Sequence, residues 1–258
     1  MAEINLLRHY PRAKRKMGKP RSLDPANREA ALKFGAEYFD GSREQGYGGY
    51  RYDGRWVPIA RDIVEHFGLK PGDRLLDVGC AKGFLVKDLM AVCPGLQVYG
   101  LDISAYALTH CEPEAAGRLV RGTADQLPFA SESFQAVLSV NVIHNLERER
   151  CVAALREVER LAPGRGYVRV DAYQTEAERQ VFLGWVLTAV TFLRPNEWRA
   201  LMAEAGYTGD YSWTTLEADA EWNDFSCAEA EPDAARGPEQ RELPSPCKAR
   251  GLASQRTG

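Results

Sequence analysis

The spacing of apolar positions changes several times along the chain, and each change predicts an element. Between Val57 and Phe67 the apolar residues Val57, Ile59, Ile63, Val64 and Phe67 fall on one helical face, with Gly68 and Pro71-Gly72 as the stop. RLLDVG (Arg74 to Gly79) is instead a short, almost unbroken apolar run, the signature of a strand covered on both faces of a parallel sheet. After the turn CAKG the helical period returns from Phe84 to Val92, and QVYGLD (Gln97 to Asp102) reads as a second strand. LVRGTA (Leu119 to Ala124) and FQAVLSVNV (Phe134 to Val142) supply a third and a fourth. Glu147 to Leu161 is an apolar-striped helix ended by Pro163-Gly164, and GYVRVDAY (Gly166 to Tyr173) is a fifth strand. A helical segment rich in Leu and Val around Trp185 to Phe192, a helix PNEWRALMAEAG and a strand YTGDYSWTTL complete the pattern. Strands alternating with helical crossovers imply a doubly wound, mostly parallel α/β sheet with helices on both faces, whose ligands sit beyond the strand C-termini.

The flanks differ in character. Residues 1–28 are polar and basic, with a cluster from Arg12 to Arg21, and suit a flexible arm. Residues 29–56 are dense in Gly, Tyr and Arg, too glycine-rich for a regular core element and too aromatic for a plain linker, so a lid or strap is expected there. Residues 57–216 form the main domain. From residue 217 the chain loses periodicity and reads as a disordered tail. At 258 residues and a formal net charge of -3, one core is expected and the whole molecule has no electrostatic demand for nucleic acid or an anionic membrane. Six scattered cysteines without metal-ligand spacing argue against zinc or a disulfide framework, and no run is long enough for a signal peptide or membrane span. The expectation is a cytoplasmic protein.

The chemistry concentrates in LLDVGCAKGF. An acid, Asp77, ends a buried strand, and small residues follow at Gly79, Ala81 and Gly83, letting backbone approach a ligand at a helix N-terminus. Asp102 closes the second strand about 20 residues later, where a carboxylate can take both hydroxyls of a ribose. The nicotinamide fingerprint G-x-G-x-x-G does not fit, because the spacing here is G-x-A-x-G.

Asp77, Gly79, Ala81 and Gly83 resemble motif I, D-x-G-x-G-x-G, of class I S-adenosylmethionine-dependent methyltransferases, with Ala in place of the middle Gly. VYGLDIS, with Asp102 and Ile103, and GTADQLPFASESFQAVLSVNVIHNL continue the resemblance, which covers roughly residues 57–173 and implies a Rossmann-like fold. It implies S-adenosylmethionine as cofactor: Gly79, Cys80, Ala81 and Gly83 along the methionine half, Asp77 orienting the turn or meeting the amino group, Asp102 and Ile103 at the ribose, Ala124 and Asp125 at the adenine edge, and Asn141 beside them. The segment before the domain, with Tyr47, Tyr50, Tyr52, Arg55 and Trp56, resembles the N-terminal region of a bacterial small-molecule subgroup and is expected to lie over cofactor or substrate. The family's sheet commonly finishes in a reversed hairpin, which either residues 174–216 or the tail EWNDFSC would have to supply.

His144, just past the fourth strand, is the general-base candidate because imidazole titrates near neutrality. Asn141 and Asn145 flank it, and Asp171 and Tyr173 end the fifth strand as further substrate-side candidates. The expected reaction is methyl transfer to a small-molecule acceptor through O, N or C. Two alternatives stay open: RNA or protein methylation, against which SVNVIHN lacks the [DN]-P-P-[YF] signature of exocyclic-amine methylation, and a non-catalytic S-adenosylmethionine-binding protein. Oligomeric state is not legible in the chain.

Overall fold

The computed structural model describes residues 1–11 and 24–215. The basic cluster from Arg12 to Arg21, the expected disordered tail and the segment EWNDFSC all lie outside the described residues. Six parallel strands, β1 (Arg74–Val78), β2 (Gln97–Asp102), β3 (Leu119–Arg121), β4 (Ala136–Val140), β5 (Gly166–Asp171) and β6 (Asp210–Thr214), form one sheet in the order β3-β2-β1-β4-β5-β6. The helices are α1 (Pro25–Leu32), α2 (Ala36–Asp40), α3 (Val57–Phe67), α4 (Phe84–Val92), α5 (Ala105–Thr109), α6 (Arg148–Leu161), α7 (Glu176–Trp185) and α8 (Pro195–Ala205).

The apolar runs of the strands are explained by two cores. Ile59, Ile63 and Phe67 of α3 and Leu85 and Leu89 of α4 pack with Leu75, Val98 and Leu138 on one face of the sheet. Leu155, Val158 and Leu161 of α6 and Trp198, Leu201 and Met202 of α8 pack with Leu76, Val137 and Val168 on the other. Burying both faces this way removes several large side chains from water, each worth about 1.5–3 kcal/mol. Strand order reverses between β1 and β4, which opens a crevice at their C-terminal ends.

Four expectations are corrected. Residues 1–10 are docked on the sheet: Leu6 and Leu7 are buried, and apolar side chains in INLL gain more from the core than from solvent. The C-terminal edge carries no reversed strand among the described residues. Instead β6 runs parallel to β5, and its outer side meets the N-terminal residues through Ile4 N to Tyr211 O (2.8 Å) and Tyr211 N to Ala2 O (3.0 Å). The glycine-rich stretch contains a short helix, α2, started after Gly35 and stopped at Gly41. Finally, α7 ends at Trp185, and residues 186–193 run irregularly because Val190 and Thr191 donate their amides to His144 O rather than continuing a helix.

Candidate active site

Beyond the C-termini of β1, β2, β4 and β5 lies one cavity of about 420 Å³. Its floor starts at the β1–α4 turn. Gly79 has φ +82°, and a Cβ there would lie 2.1 Å from Val142 Cγ2, so only glycine lets the chain turn against the β4 loop. Ala81 also holds a left-handed φ of 50°, a conformation that costs a non-glycine residue about 1–2 kcal/mol. Its amide is held there by a 2.8 Å bond to Asp102 Oδ2, while Asp102 Oδ1 accepts from Ser104 N, also at 2.8 Å. A carboxylate accepts about four hydrogen bonds, so Asp102 retains capacity on both oxygens for a diol.

Asp77 lines the same cavity, is buried, and receives no hydrogen bond from the described residues. Burial, reinforced by the nearby Asp102 charge, pushes its carboxyl up to about 7. An unpartnered buried carboxyl is costly unless a donor or cation completes it, so the donor set fits the ammonium and ribose of an S-adenosylmethionine molecule. Burial also pushes Asp102 up, against the backbone amides of Ser104 and Ala81. The Cys80 thiol is pushed well up by burial and by the neighbouring carboxylates, which keeps it a neutral wall rather than a nucleophile.

The roof comes from the glycine and tyrosine rich segment. Tyr47, Tyr50 and Trp56 line the cavity with Phe34, Tyr38 and Phe39. Tyr50 stacks on Phe84 of α4 with ring centroids 4.7 Å apart. Lys82, buried in the turn between β1 and α4, bonds both Asp40 oxygens (2.9 and 2.7 Å) and Tyr50 O (3.2 Å), and Tyr106 donates to Asp40 Oδ2 (2.7 Å). Burial would raise Asp40, but the Lys82 and Tyr106 hydrogen bonds bring it below the usual carboxylate range. Ser104 Oγ donates to Phe34 O at 2.6 Å, so the roof is tied to both acid-bearing loops of the floor.

Of the residues expected at the cofactor, Asp77, Gly79, Cys80, Ala81, Asp102, Ile103, Ala124 and Asn141 line the cavity. Gly83 does not: its φ of +76° precedes α4, and a Cβ would press on Ala115, so it sets helix packing. Asp125 also stands outside, its carboxylate held by Arg150 Nε (2.7 Å) and Nη2 (3.0 Å), and Arg150 lines the cavity in its place. Among the substrate-side candidates Asn145 lines the cavity; its Oδ1 is buried and has no hydrogen-bond partner among the described residues. Tyr52 turns away to Asp88 (2.6 Å) and Arg55 to Asp53, while Tyr173 lies under Arg179 and Arg194.

His144 is the main correction. It is buried beneath the cavity rather than lining it, with Nδ1 accepting from Asp171 N at 2.9 Å and Nε2 3.5 Å from Asp171 Oδ2. Burial lowers its pKa against the pull of Asp171, so the ring is a neutral clamp between the β4 loop and β5. Asp171 is engaged in the same clamp.

Sequence reasoning missed Leu7, Tyr10, Thr123, Arg150, Arg169 and Thr214, all of which line the cavity. The apolar positions Ile4, Leu6, Leu7 and Tyr10 were a signal that the N-terminus packs somewhere, but nothing local says where. Arg169 carried a sharper one: a cation in the middle of an otherwise apolar buried strand.

A parallel sheet with a glycine turn after β1 and an acid at the end of β2, both opening into one cavity, defines a nucleoside-cofactor enzyme of the doubly wound class. Residues 76–170 match the family model described as "Methyltransferase domain", and this stretch is a class I S-adenosylmethionine-dependent methyltransferase domain. Among curated proteins the chain is similar to the malonyl-[acyl-carrier protein] O-methyltransferase of Legionella pneumophila, 35% identical over 28% of this chain and 26% of that one. It is similar to the demethylmenaquinone methyltransferase of Symbiobacterium thermophilum, 29% identical over 58% of this chain and 62% of that one. It is also similar to the "Probable tRNA methyltransferase 9B" of Homo sapiens, 27% identical over 49% of this chain and 26% of that one. The chain thus spans between about a quarter and three fifths of the length of these relatives. Among the described residues no helix is long and apolar enough to cross a membrane.

Proposed function

We propose that this protein transfers the methyl group of S-adenosylmethionine to a small-molecule acceptor. The observation that carries the reading is the single roofed cavity in which Asp77, the Gly79 turn and Asp102 at one end are continuous with Leu7, Tyr10, Trp56 and Arg169 at the other. Asp102 would hold the ribose hydroxyls, Asp77 the amino group, the Gly79–Ala81 backbone the methionine half, and Thr123 and Ala124 the adenine. The cofactor supplies a sulfonium-activated methyl group. The chain's own contribution is to hold an acceptor in line and to keep water out beneath Tyr47, Tyr50 and Trp56. With His144 outside the cavity, orientation rather than a histidine base carries the rate. Two relatives named for a quinone precursor and an acyl-carrier substrate support a non-nucleic-acid acceptor. The free cysteines Cys80, Cys93, Cys111 and Cys151 are in keeping with a cytoplasmic setting.

A second reading, RNA methylation, is favoured by the relative named for tRNA. The two separate in one assay: S-adenosylhomocysteine production with a panel of small phenols, amines and acids, and in parallel with bulk tRNA. Turnover on a small molecule, insensitive to moderate salt, is expected. Turnover on tRNA alone, falling steeply with salt, would replace the small-molecule reading by the second one.

A further inference from the structure

Three cations bear on the cavity, and their partners differ. Arg150 is neutralised by Asp125 (2.7 Å) and Lys82 by Asp40 (2.7 Å). Arg169 has no carboxylate within ion-pair distance among the described residues. Its Nε donates to Thr214 Oγ1 (2.9 Å), and its Nη1 donates to Asn5 Oδ1 (3.0 Å) and Ser212 Oγ (3.4 Å). The Tyr167 hydroxyl also hydrogen-bonds the Arg169 side chain. All four acceptors are neutral oxygens that aim the guanidinium without cancelling its charge. A guanidinium carries five N–H donors, so these four acceptors leave at least one N–H for a ligand, and Arg169 lines the cavity.

Its place in the sheet puts it on the acceptor side. Asp77 pairs with Leu138 on β4, and Val140, two residues further along β4, pairs with Arg169 on β5. Two strand spacings across and two residues along give a Cα separation of about 12 Å, and the alternation of the strands puts both side chains on the same face. The walls between them are Val140 and Leu7, with Tyr10 and Trp56 packed edge to face at 5.3 Å. A partly buried, oriented and uncompensated guanidinium at the end of such an apolar passage matches one ligand feature, an oxyanion.

We propose that the methyl acceptor carries a carboxylate or phosphate group on an apolar, ring-sized body, and that Arg169, held by Asn5, Ser212 and Thr214, binds that group. This rests on the methyltransferase reading for the identity of the acceptor, but the anion site itself can be measured without it.

The test is calorimetry of the full chain with two pairs of probes: 4-hydroxybenzoate against 4-hydroxybenzamide, and phenyl phosphate against phenol. In each pair the ring is kept and the charge removed. The wild-type protein is expected to bind at least one anion about tenfold or more tightly than its neutral partner, as a charge-assisted contact requires. Arg169→Gln should abolish that preference and Arg169→Lys should keep part of it, while S-adenosylmethionine affinity stays unchanged in both. Preference for the carboxylate or for the phosphate identifies which oxyanion the site takes. Equal affinity within both pairs, or binding of none of the four, overturns the proposal, and so does a preference that survives Arg169→Gln. Loss of S-adenosylmethionine affinity in Arg169→Gln would assign the guanidinium to the cofactor's own carboxylate and overturn it as well. The wild-type comparison needs no variant, so it stands even if Arg169→Gln fails to fold. Absence of S-adenosylmethionine binding beside a clear anion preference would sink the methyltransferase reading alone.

Discussion

At Gly79 the backbone angle and the neighbouring Val142 leave no room for a Cβ, so Gly79→Ala should cost about 2–3 kcal/mol of stability and at least tenfold in cofactor affinity, measured by thermal melting and calorimetry. Ala81 two positions on behaves oppositely. Its φ of 50° makes Ala81→Gly neutral to mildly stabilising, with cofactor affinity retained. Asp77 links stability to pH. Its folded carboxyl titrates at about 7, above the ordinary value near 4, so the folded state holds a proton that the unfolded state has lost. Stability is therefore lost as pH rises from about 4 to about 7, and Asp77→Asn should remove that slope. The variant is expected to be more stable than wild type at pH 8, by an amount that shrinks towards pH 4, and to bind cofactor more weakly. Wild-type cofactor affinity should rise between pH 6 and 8 as Asp77 ionises; a flat profile would remove Asp77 from the ammonium site. These acids were legible because they stand at strand ends, where position alone implies a role. His144 was not, because sequence position brings a residue to the rim but does not say whether its side chain turns up into the cavity or down into the core. The amide of Asp171, a buried donor needing an acceptor, decides that.

At the scale of elements, the alternation of apolar strands and striped helices was legible from α3 to β6, since each period reflects a face that must be buried. What escaped was everything held by distant partners: α1, α2, α5 and the docking of residues 1–10. α2 is too short to stand on propensity and is kept by the Lys82–Asp40–Tyr106 cluster. Asp40→Ala should therefore loosen the roof without unfolding the sheet. Limited trypsin digestion should cut faster at Arg43 and Arg51, and cofactor affinity should fall while the melting temperature changes little. An unchanged cleavage pattern would contradict the roof's anchoring. The His144 clamp makes the complementary prediction. His144→Ala should lower stability by about 1–3 kcal/mol by orphaning the Asp171 amide, and leave the rate of the folded fraction close to wild type. Because burial depresses the folded pKa of His144, the stability that its neutral ring supplies is present above about 6.5 and is lost as pH falls below it.

Over the whole molecule, one cavity runs from the ends of β1 and β2 to those of β4 and β5, with N-terminal residues and the roof segment lining it; in the proposed reading the first end takes the cofactor and the second the acceptor. The residues of the proposed cofactor half could be read along the chain because they come from consecutive turns. In the proposed acceptor half Trp56 was expected, whereas Leu7, Arg169 and Thr214 were not, since they come from distant places in the chain that nothing local joins. Both halves depend on the cofactor being bound as the site geometry implies, and one titration decides that. Calorimetry of the full chain with S-adenosylmethionine, beside Asp102→Asn and an NADH control, should show binding to the wild type, a loss of at least tenfold in the variant, and none of NADH. A folded wild-type protein that binds no S-adenosylmethionine, or an Asp102→Asn variant that binds it equally well, would contradict the account.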